Sequence, residues 1–210
     1  MNRNLFFIVT TLLAFLLWGC QASRQGGSEK ETTLETNAKG EGIPLRISFQ
    51  KGVNHNHPTM AFWIEELDGT FIQTLYVTQS LATGIFGHGA MGEGRWKDEP
   101  GEARRPASLP YWLHKRGFQA PDGLYLPTPE NPVADAYTGA TPPANFVLHT
   151  STNKPWDNKF RVLMEINQPW DWNNYWHNSR FPDDTDYKTS AQPALVYAVT
   201  VNPNDSVQRY

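Results

Sequence analysis

The chain has 210 residues and a formal net charge of −3, from 18 Lys and Arg against 21 Asp and Glu. This mild charge and the lack of a basic stripe argue against a nucleic-acid partner. Eight Trp, eight Tyr and eleven Phe, together with sixteen Gly and sixteen Pro, favour an all-β domain with many turns. The single cysteine, Cys20, excludes disulfides, cysteine-ligated zinc and iron–sulfur clusters within the chain.

The N-terminus predicts export. One cation, Arg3, precedes an apolar run from Leu5 to Trp18 that is too short to span a bilayer comfortably, a pattern typical of secretory signal peptides. The run ends at LWGC, which resembles a bacterial lipobox, in which the cysteine is lipidated and becomes the mature N-terminus. We therefore expect a lipoprotein signal peptide over residues 1–19 and a membrane anchor at Cys20. The alternative is a plain signal peptide, or an uncleaved anchor, with an incidental cysteine.

The polar segment after Cys20 predicts a flexible tether over residues 20–42, since it is rich in Gly, Ser and Thr and lacks aromatic residues. The protein would then lie at the cell envelope, facing the periplasm or the exterior. Residues 43–210 are long enough for one domain with a sizeable core.

The strand pattern of that domain is clear along the chain. PLRISFQ alternates apolar and polar residues, and two β-rich runs flank Asp68-Gly69, the strongest short signal for a hairpin turn. Three further runs, NFVLHTST, KFRVLMEINQ and PALVYAVTVN, also predict strands. Six strands follow from these patterns.

The connections between the strands indicate how they pair. Residues 84–110 and 119–145 have the composition of long loops, and SLPYWLHKRGF predicts one or two helical turns that end at Gly117. Most of the other connections are too short for crossover helices. The sequence therefore predicts an antiparallel β-sandwich, of the immunoglobulin or fibronectin kind, with long loops.

Catalytic patterns are weak in this sequence. No serine lies in a recognisable nucleophile elbow. Glu65, Glu66 and Glu165 lie in predicted strands, where we expect them to face solvent rather than to form a glycosidase pair. The chain is therefore more consistent with a carrier or a binding module than with a stand-alone enzyme.

Two other constellations suggest binding sites only weakly. His55-x-His57 and Gly87-His88-Gly89 have no acidic partner at metal-site spacing, so we expect no metal. An aromatic loop, PWDWNNYWHN, suggests a platform on which sugar rings could stack. Its tryptophans and a nearby one are Trp156, Trp170, Trp172 and Trp176.

The order of several stretches resembles a bacterial family known as a predicted periplasmic domain of unknown function, number 2271. These stretches are AFWIEELDGTFIQTLYV, SLPYW, DAYTGATPP, FRVLMEINQPWDWNNYW and QPALVYAV, and they cover most of residues 43–201. The family has no assigned activity, so the resemblance implies an exported domain without implying a function.

A second resemblance concerns DAYTGATPP alone. Asp135, Thr138, Gly139, Ala140 and Thr141 match the acceptor pattern D-x-x-[S/T]-G-A-[S/T], which the periplasmic FAD:protein FMN transferase recognises. In FMN-binding subunits of bacterial redox complexes, the last threonine of this pattern carries FMN as a phosphoester, and by position that residue is Thr141. Pro142 and Pro143 depart from the usual acceptor, which continues with Ser or Thr.

This second resemblance implies an electron carrier with covalent FMN, exchanging electrons with unidentified envelope redox proteins. The flavin ring would need aromatic faces on which to stack, and Tyr137, Trp112 and Tyr111 are the nearest in sequence. Two alternatives stay open. The stretch could be an ordinary turn before a strand, and the protein could be an envelope binding module for a carbohydrate or a protein partner without any cofactor.

Overall fold

The computed structural model describes residues 32–92, 95–133, 136, 141–206 and 209–210. In these ranges it has nine strands, two short α-helices and one 3-10 helix at Tyr187–Thr189. The strands are β1 (Thr32–Glu35), β2 (Pro44–Phe49), β3 (Thr59–Glu66), β4 (Phe71–Val77), β5 (Ile85–Phe86), β6 (Gly101–Glu102), β7 (Phe146–Ser151), β8 (Phe160–Asn167) and β9 (Leu195–Val201). The helices are α1 (Gln79–Thr83) and α2 (Pro110–Arg116).

The predicted all-β class is confirmed, and each of the six predicted strands is present as β2, β3, β4, β7, β8 or β9. The β3–β4 hairpin turns at Asp68-Gly69 as expected. Gly69 has a φ of 92°, and Thr70 donates its backbone N–H to Asp68 Oδ1 at 2.9 Å. A side chain at this φ would be strained, so glycine is what lets the turn close.

The strands form two larger sheets, with orders β1-β7-β2 and β4-β3-β8-β9, and β5 and β6 form a small third one. Neighbouring strands run antiparallel except for β1, which pairs in parallel with β7. The order places β3 and β8 at the centre of the four-stranded sheet, while β9 lies at its edge.

Strand β1 corrects the predicted tether. It falls within residues 20–42, where the composition predicted a flexible segment, and Thr36 just after it is buried and donates its hydroxyl to Leu75 O at 2.6 Å. The backbone of Thr32–Glu35 pairs with β7, which is more than a hundred residues away along the chain. Local composition cannot reveal such a distant partner.

Between the two sheets lies a core with Phe146 near its centre. The Phe146 ring stacks on Phe49 with centroids 4.9 Å apart, and it meets Phe62 edge-on at 6.3 Å. Aromatic pairs in such geometry add to the stabilisation from burial itself.

A second core covers the other face of the four-stranded sheet. Both helices and the loops around them pack there, so β3 is buried on both faces up to its last residue. This layer is supplied by the segment between β4 and β7, most of which the sequence predicted as loop. The helical turns expected near Gly117 are confirmed as α2, while α1 was not predicted.

The second core also corrects the expectation for two glutamates. Glu65 and Glu165 do not face solvent: their exposed fractions are 0% and 1%. Glu65 accepts hydrogen bonds from Trp63 Nε1 at 2.8 Å and Arg161 Nη2 at 3.1 Å. Glu165 lies opposite Ala61 on β3, four residues along that strand from Glu65. The two glutamates are therefore roughly 13 Å apart along the sheet, which is too far for a glycosidase pair.

Within the part of the chain that the structure describes, no helix is long and apolar enough to cross a membrane.

Candidate functional site

Thr141 lies against the first residue after β4. It is 8% exposed, and its hydroxyl donates to Thr78 Oγ1 at 3.3 Å. Thr78 is itself fixed, because its Oγ1 accepts the Met60 backbone N–H at 2.9 Å and donates to Met60 O at 3.2 Å. The hydroxyl that the resemblance implies as the FMN attachment atom therefore faces the protein in this structure, on a bond that is long for two hydroxyls.

Both ends of the acceptor-like stretch are held against the domain. On one side the Val133 backbone N–H donates to Ala82 O at 2.9 Å, and Ala136 is buried in the second core. On the other side Pro142 O lies 3.1 Å from His55 Nε2, within hydrogen-bond distance. The five other motif positions, Asp135, Tyr137, Thr138, Gly139 and Ala140, lie outside the described residues.

Trp112, expected as a stacking partner, lies inside the second core. Its side chain is fully buried, and its Nε1 donates to Thr74 Oγ1 at 3.1 Å. The ring thus has no face free for a ligand in this structure. Tyr111, next to it on α2, is 39% exposed and lies 5.8 Å from the buried Trp63 ring.

A pocket that the sequence did not reveal is built around Arg105. Its guanidinium carbon lies over three rings, at 4.1 Å from the Phe86 centroid, 4.7 Å from Trp170 and 4.9 Å from Trp96. Trp172 completes the aromatic lining of a cavity of about 410 Å³. We call this the Arg105 pocket, and it is lined by His88, Trp96, Arg105, Trp170, Trp172 and Asn178.

Arg105 is poorly neutralised. It is 8% exposed, and its Nη2 reaches His88 O only at 3.5 Å. Its Nε has no hydrogen-bond partner in the part of the chain that the structure describes. Among the described residues no carboxylate lies within ion-pair distance of it. Burial lowers the pKa of Arg105 to about 10, so the guanidinium still carries its charge at neutral pH. The pocket therefore combines a cation with aromatic walls.

Trp170 is held in place by a strained backbone. Its φ is +62°, a region that residues other than glycine rarely adopt. Two hydrogen bonds hold this conformation, from Trp170 N to Ser190 O at 2.8 Å and from Trp170 Nε1 to Lys188 O at 3.2 Å. Such strain concentrates at binding sites, where the surrounding structure over-determines one orientation.

Thr141 and the Arg105 pocket lie at the same end of the four-stranded sheet. Thr78 directly follows β4, and Trp170 comes three residues after the last residue of β8, Asn167. Helix α1 lies near both segments. Ala82 O in α1 accepts the backbone N–H of Val133, and Gly84 O, just beyond α1, accepts the backbone N–H of Ala103 at 3.0 Å. Since β3 separates β4 from β8, the strand ends are about 10 Å apart.

The aromatic loop does not form the single platform that its four tryptophans suggested. Trp170 and Trp172 line the Arg105 pocket, Trp176 lines a separate groove, and Trp156 packs against the core between the sheets. Only Trp172, which is 58% exposed, presents a broad face to solvent.

The separate groove has a volume of about 950 Å³ and lies between two edge strands, β2 and β9. Its walls are mostly apolar and include Leu195 and Tyr197, which are 58% and 55% exposed. In the described ranges, no group of three or more His, Cys, Asp or Glu residues is placed to hold a metal ion. The groove thus offers apolar surface without a cluster of reactive groups.

Sequence reasoning missed Arg105 and Trp96. Arg105 follows another arginine in a loop, and nothing local distinguishes the two, yet Arg104 pairs with Asp122 at 2.7 Å while Arg105 has no carboxylate partner among the described residues. Arginines in a loop that also holds a tryptophan, Trp96, are the weak signal that was available.

The chain matches no protein-family model, no curated protein and no solved structure.

Proposed function

We propose that this chain is an envelope electron carrier with FMN attached to Thr141 as a phosphoester. The observation that carries the proposal is the juxtaposition of an acceptor-like threonine with a cationic aromatic pocket at one end of the sheet. A covalent cofactor suits a protein outside the cytoplasm, because free flavin there would diffuse away. The resemblance to family 2271 stays a prediction and adds no activity to this argument.

The attachment chemistry is a transfer from FAD. Thr141 Oγ attacks the phosphorus of the FMN half of FAD, a P–Oγ bond forms, the bond from that phosphorus to AMP breaks, and AMP leaves. The hydroxyl proton goes to a base of the transferase. No oxidation or reduction occurs, so the threonine needs only to present its oxygen.

Thr141 must leave Thr78 for this reaction. Its hydroxyl makes one 3.3 Å hydrogen bond, and a neutral hydrogen bond contributes about 0.5–1.5 kcal/mol net. Opening this contact is therefore a small cost, within the range of local openings that folded proteins make. We infer that the transferase acts on the opened stretch, after export.

Bound FMN supplies reversible one- or two-electron chemistry. The residues of this chain would do the rest: Thr141 would hold the phosphate end, and aromatic side chains would exclude water from the ring. We therefore propose a carrier rather than an enzyme that acts alone.

The test is co-expression with an active FAD:protein FMN transferase, followed by intact-mass measurement. We expect the wild-type protein to gain the mass of an FMN phosphoester and Thr141→Val to gain none. The matched control is Thr150→Val, because Thr150 is similarly buried at 5% exposed and its hydroxyl has no hydrogen-bond partner among the described residues. This control should be flavinylated like the wild type.

Two outcomes would contradict the proposal. Unmodified wild-type protein, beside a positive acceptor protein in the same cells, would exclude flavinylation. A mass gain that persists in Thr141→Val would place the attachment at another residue.

A carbohydrate-binding module is the second candidate, and the exposure of Trp172 favours it. Tyr175, at 54% exposed, lies on the same loop. Sugar stacking would need Trp172 but not the Thr141 hydroxyl. Calorimetric titration with oligosaccharides would separate the two functions, since Trp172→Ala should abolish sugar binding and Thr141→Val should leave it unchanged.

A further inference from the structure

The Arg105 pocket is built for a flat ligand that carries negative charge. A buried guanidinium without a counter-charge is costly. Among the described residues, ring faces and one long contact to a carbonyl are what compensates the charge of Arg105. Cation–π contacts contribute about 0.5–2 kcal/mol each, which stabilises the charge but leaves the N–H donors unused. The Nε of Arg105 is such an unused donor.

The walls select for a planar ring. Trp96 and Trp170 meet edge to face, with centroids 5.6 Å apart, and Trp172 is largely exposed at the rim. At about 410 Å³ the cavity lies within the range of small-molecule sites and would hold part of a three-ring system, with the remainder at the open rim. A neutral sugar could stack on these rings, but it would not use a buried cation.

The spacing between the ends of β4 and β8 is comparable with the length of the FMN chain. From Thr141 Oγ to the ring nitrogen, the ribityl phosphate has about eight bonds, and an extended chain advances roughly 1.2 Å per bond, which gives about 10 Å. The ends of β4 and β8, which carry Thr78 and lead to Trp170, are separated by a similar distance of about 10 Å. The strand order thus brings Thr141 and the pocket to the same end of the sheet, at strand ends whose spacing is comparable with the length of this chain.

We propose that the Arg105 pocket receives the isoalloxazine ring of the flavin attached to Thr141, with the Arg105 guanidinium on the pyrimidine edge of the ring. This inference rests on the proposed function and goes beyond it by assigning the ring site. Arg105 then donates to the N1–C2=O edge, where negative charge collects when the ring is reduced. Trp172 covers the outer face of the ring.

The consequence is a shift in reduction potential. A fixed positive charge stabilises the reduced, more negatively charged ring over the oxidised one. Loss of the charge should weaken that preference by tenfold or more, and tenfold corresponds to about 30 mV for a two-electron couple. We expect Arg105→Met to lower the potential by at least this amount, and Arg105→Lys to lie between it and the wild type.

The experiment uses the flavinylated full chain. Intact-mass measurement first verifies that each variant carries FMN. A protein without FMN would contradict the proposed function, whereas a flavinylated protein with unchanged flavin properties would contradict only the placement of the ring. Potentials are then measured by spectroelectrochemistry, together with flavin fluorescence. Arg104→Met is the matched control, because Arg104 pairs with Asp122 and does not line the pocket, so its potential should equal that of the wild type.

Trp172→Leu gives an independent readout that does not disturb the core, since Trp172 is 58% exposed. A tryptophan stacked on the ring quenches flavin emission, so this variant should fluoresce more strongly than the wild type at equal flavin content. The ring lies elsewhere if flavinylated Arg105→Met and Trp172→Leu both match Arg104→Met in potential and emission.

Discussion

Glu165 should make the stability of this protein fall as pH rises. The carboxylate is 1% exposed on β8, and it accepts backbone N–H groups at the start of α2, from Tyr111 at 3.1 Å and Trp112 at 2.7 Å. Burial raises the pKa of Glu165 from 4.5 to about 7, although these two hydrogen bonds oppose the rise.

The sign and size of the effect follow from linkage. Between pH 4.5 and 7 the folded state holds a proton on Glu165 that the unfolded state has lost, so the stabilisation is present at low pH and disappears as pH rises through 7. A shift from 4.5 to about 7 is about 2.5 units, and at 1.36 kcal/mol per unit it corresponds to roughly 3 kcal/mol of unfolding free energy.

The assay is urea unfolding of the wild type and Glu165→Gln at steps from pH 4.5 to 8.5. Glutamine keeps the shape and cannot titrate. The difference in unfolding free energy between the two proteins should therefore move by about 3 kcal/mol in favour of Glu165→Gln as pH rises. Titrating groups that do not interact with Glu165 affect both proteins alike, so their effects cancel in this difference. Glu130→Gln, at an exposed site, serves as the control and should show no such trend. A difference that is constant with pH, or one that moves in the opposite direction, would refute the reasoning.

Three further predictions concern the core, a tight loop and the anchor. Phe146→Ala empties the centre of the inter-sheet core, where the side chain is fully buried, and should cost about 3–5 kcal/mol in urea unfolding. Gly42→Ala would place a Cβ 2.0 Å from Lys154 O and should lower Tm measurably, whereas Gly52→Ala, with nothing within 4 Å, should leave Tm unchanged. Cys20→Ala should release the protein from the membrane fraction, and a variant that still fractionates with membranes would contradict the lipobox prediction.

Local sequence was sufficient for six of the nine described strands. Strand β8 could be predicted from alternation, since every second residue from Phe160 to Ile166 is apolar. The β3–β4 hairpin could be predicted from the turn signal Asp68-Gly69. These features depend on residues that are neighbours along the chain. The pattern DAYTGATPP is likewise local, and so the flavin hypothesis could be made from sequence.

Only the tertiary structure decides which faces of the four-stranded sheet are buried and which face solvent. Glu65 and Glu165 are charged residues within predicted strands, and we expected them to face solvent, yet the segment between β4 and β7 covers them. Covering a face requires a contact distant in sequence, and alternation cannot show whether such a cover exists. Each glutamate is instead satisfied by donors from the strand partner or from α2.

The Arg105 pocket depends on tertiary structure for the same reason. Its residues come from two loops, one around Trp96 and Arg105 and the other around Trp170 and Trp172. Helix α2 and strands β7 and β8 lie between these loops in the sequence. In sequence Arg105 is one of two adjacent arginines. Burial between aromatic rings, away from any carboxylate in the described residues, is what distinguishes it, and burial is a property of the assembled fold rather than of the residue.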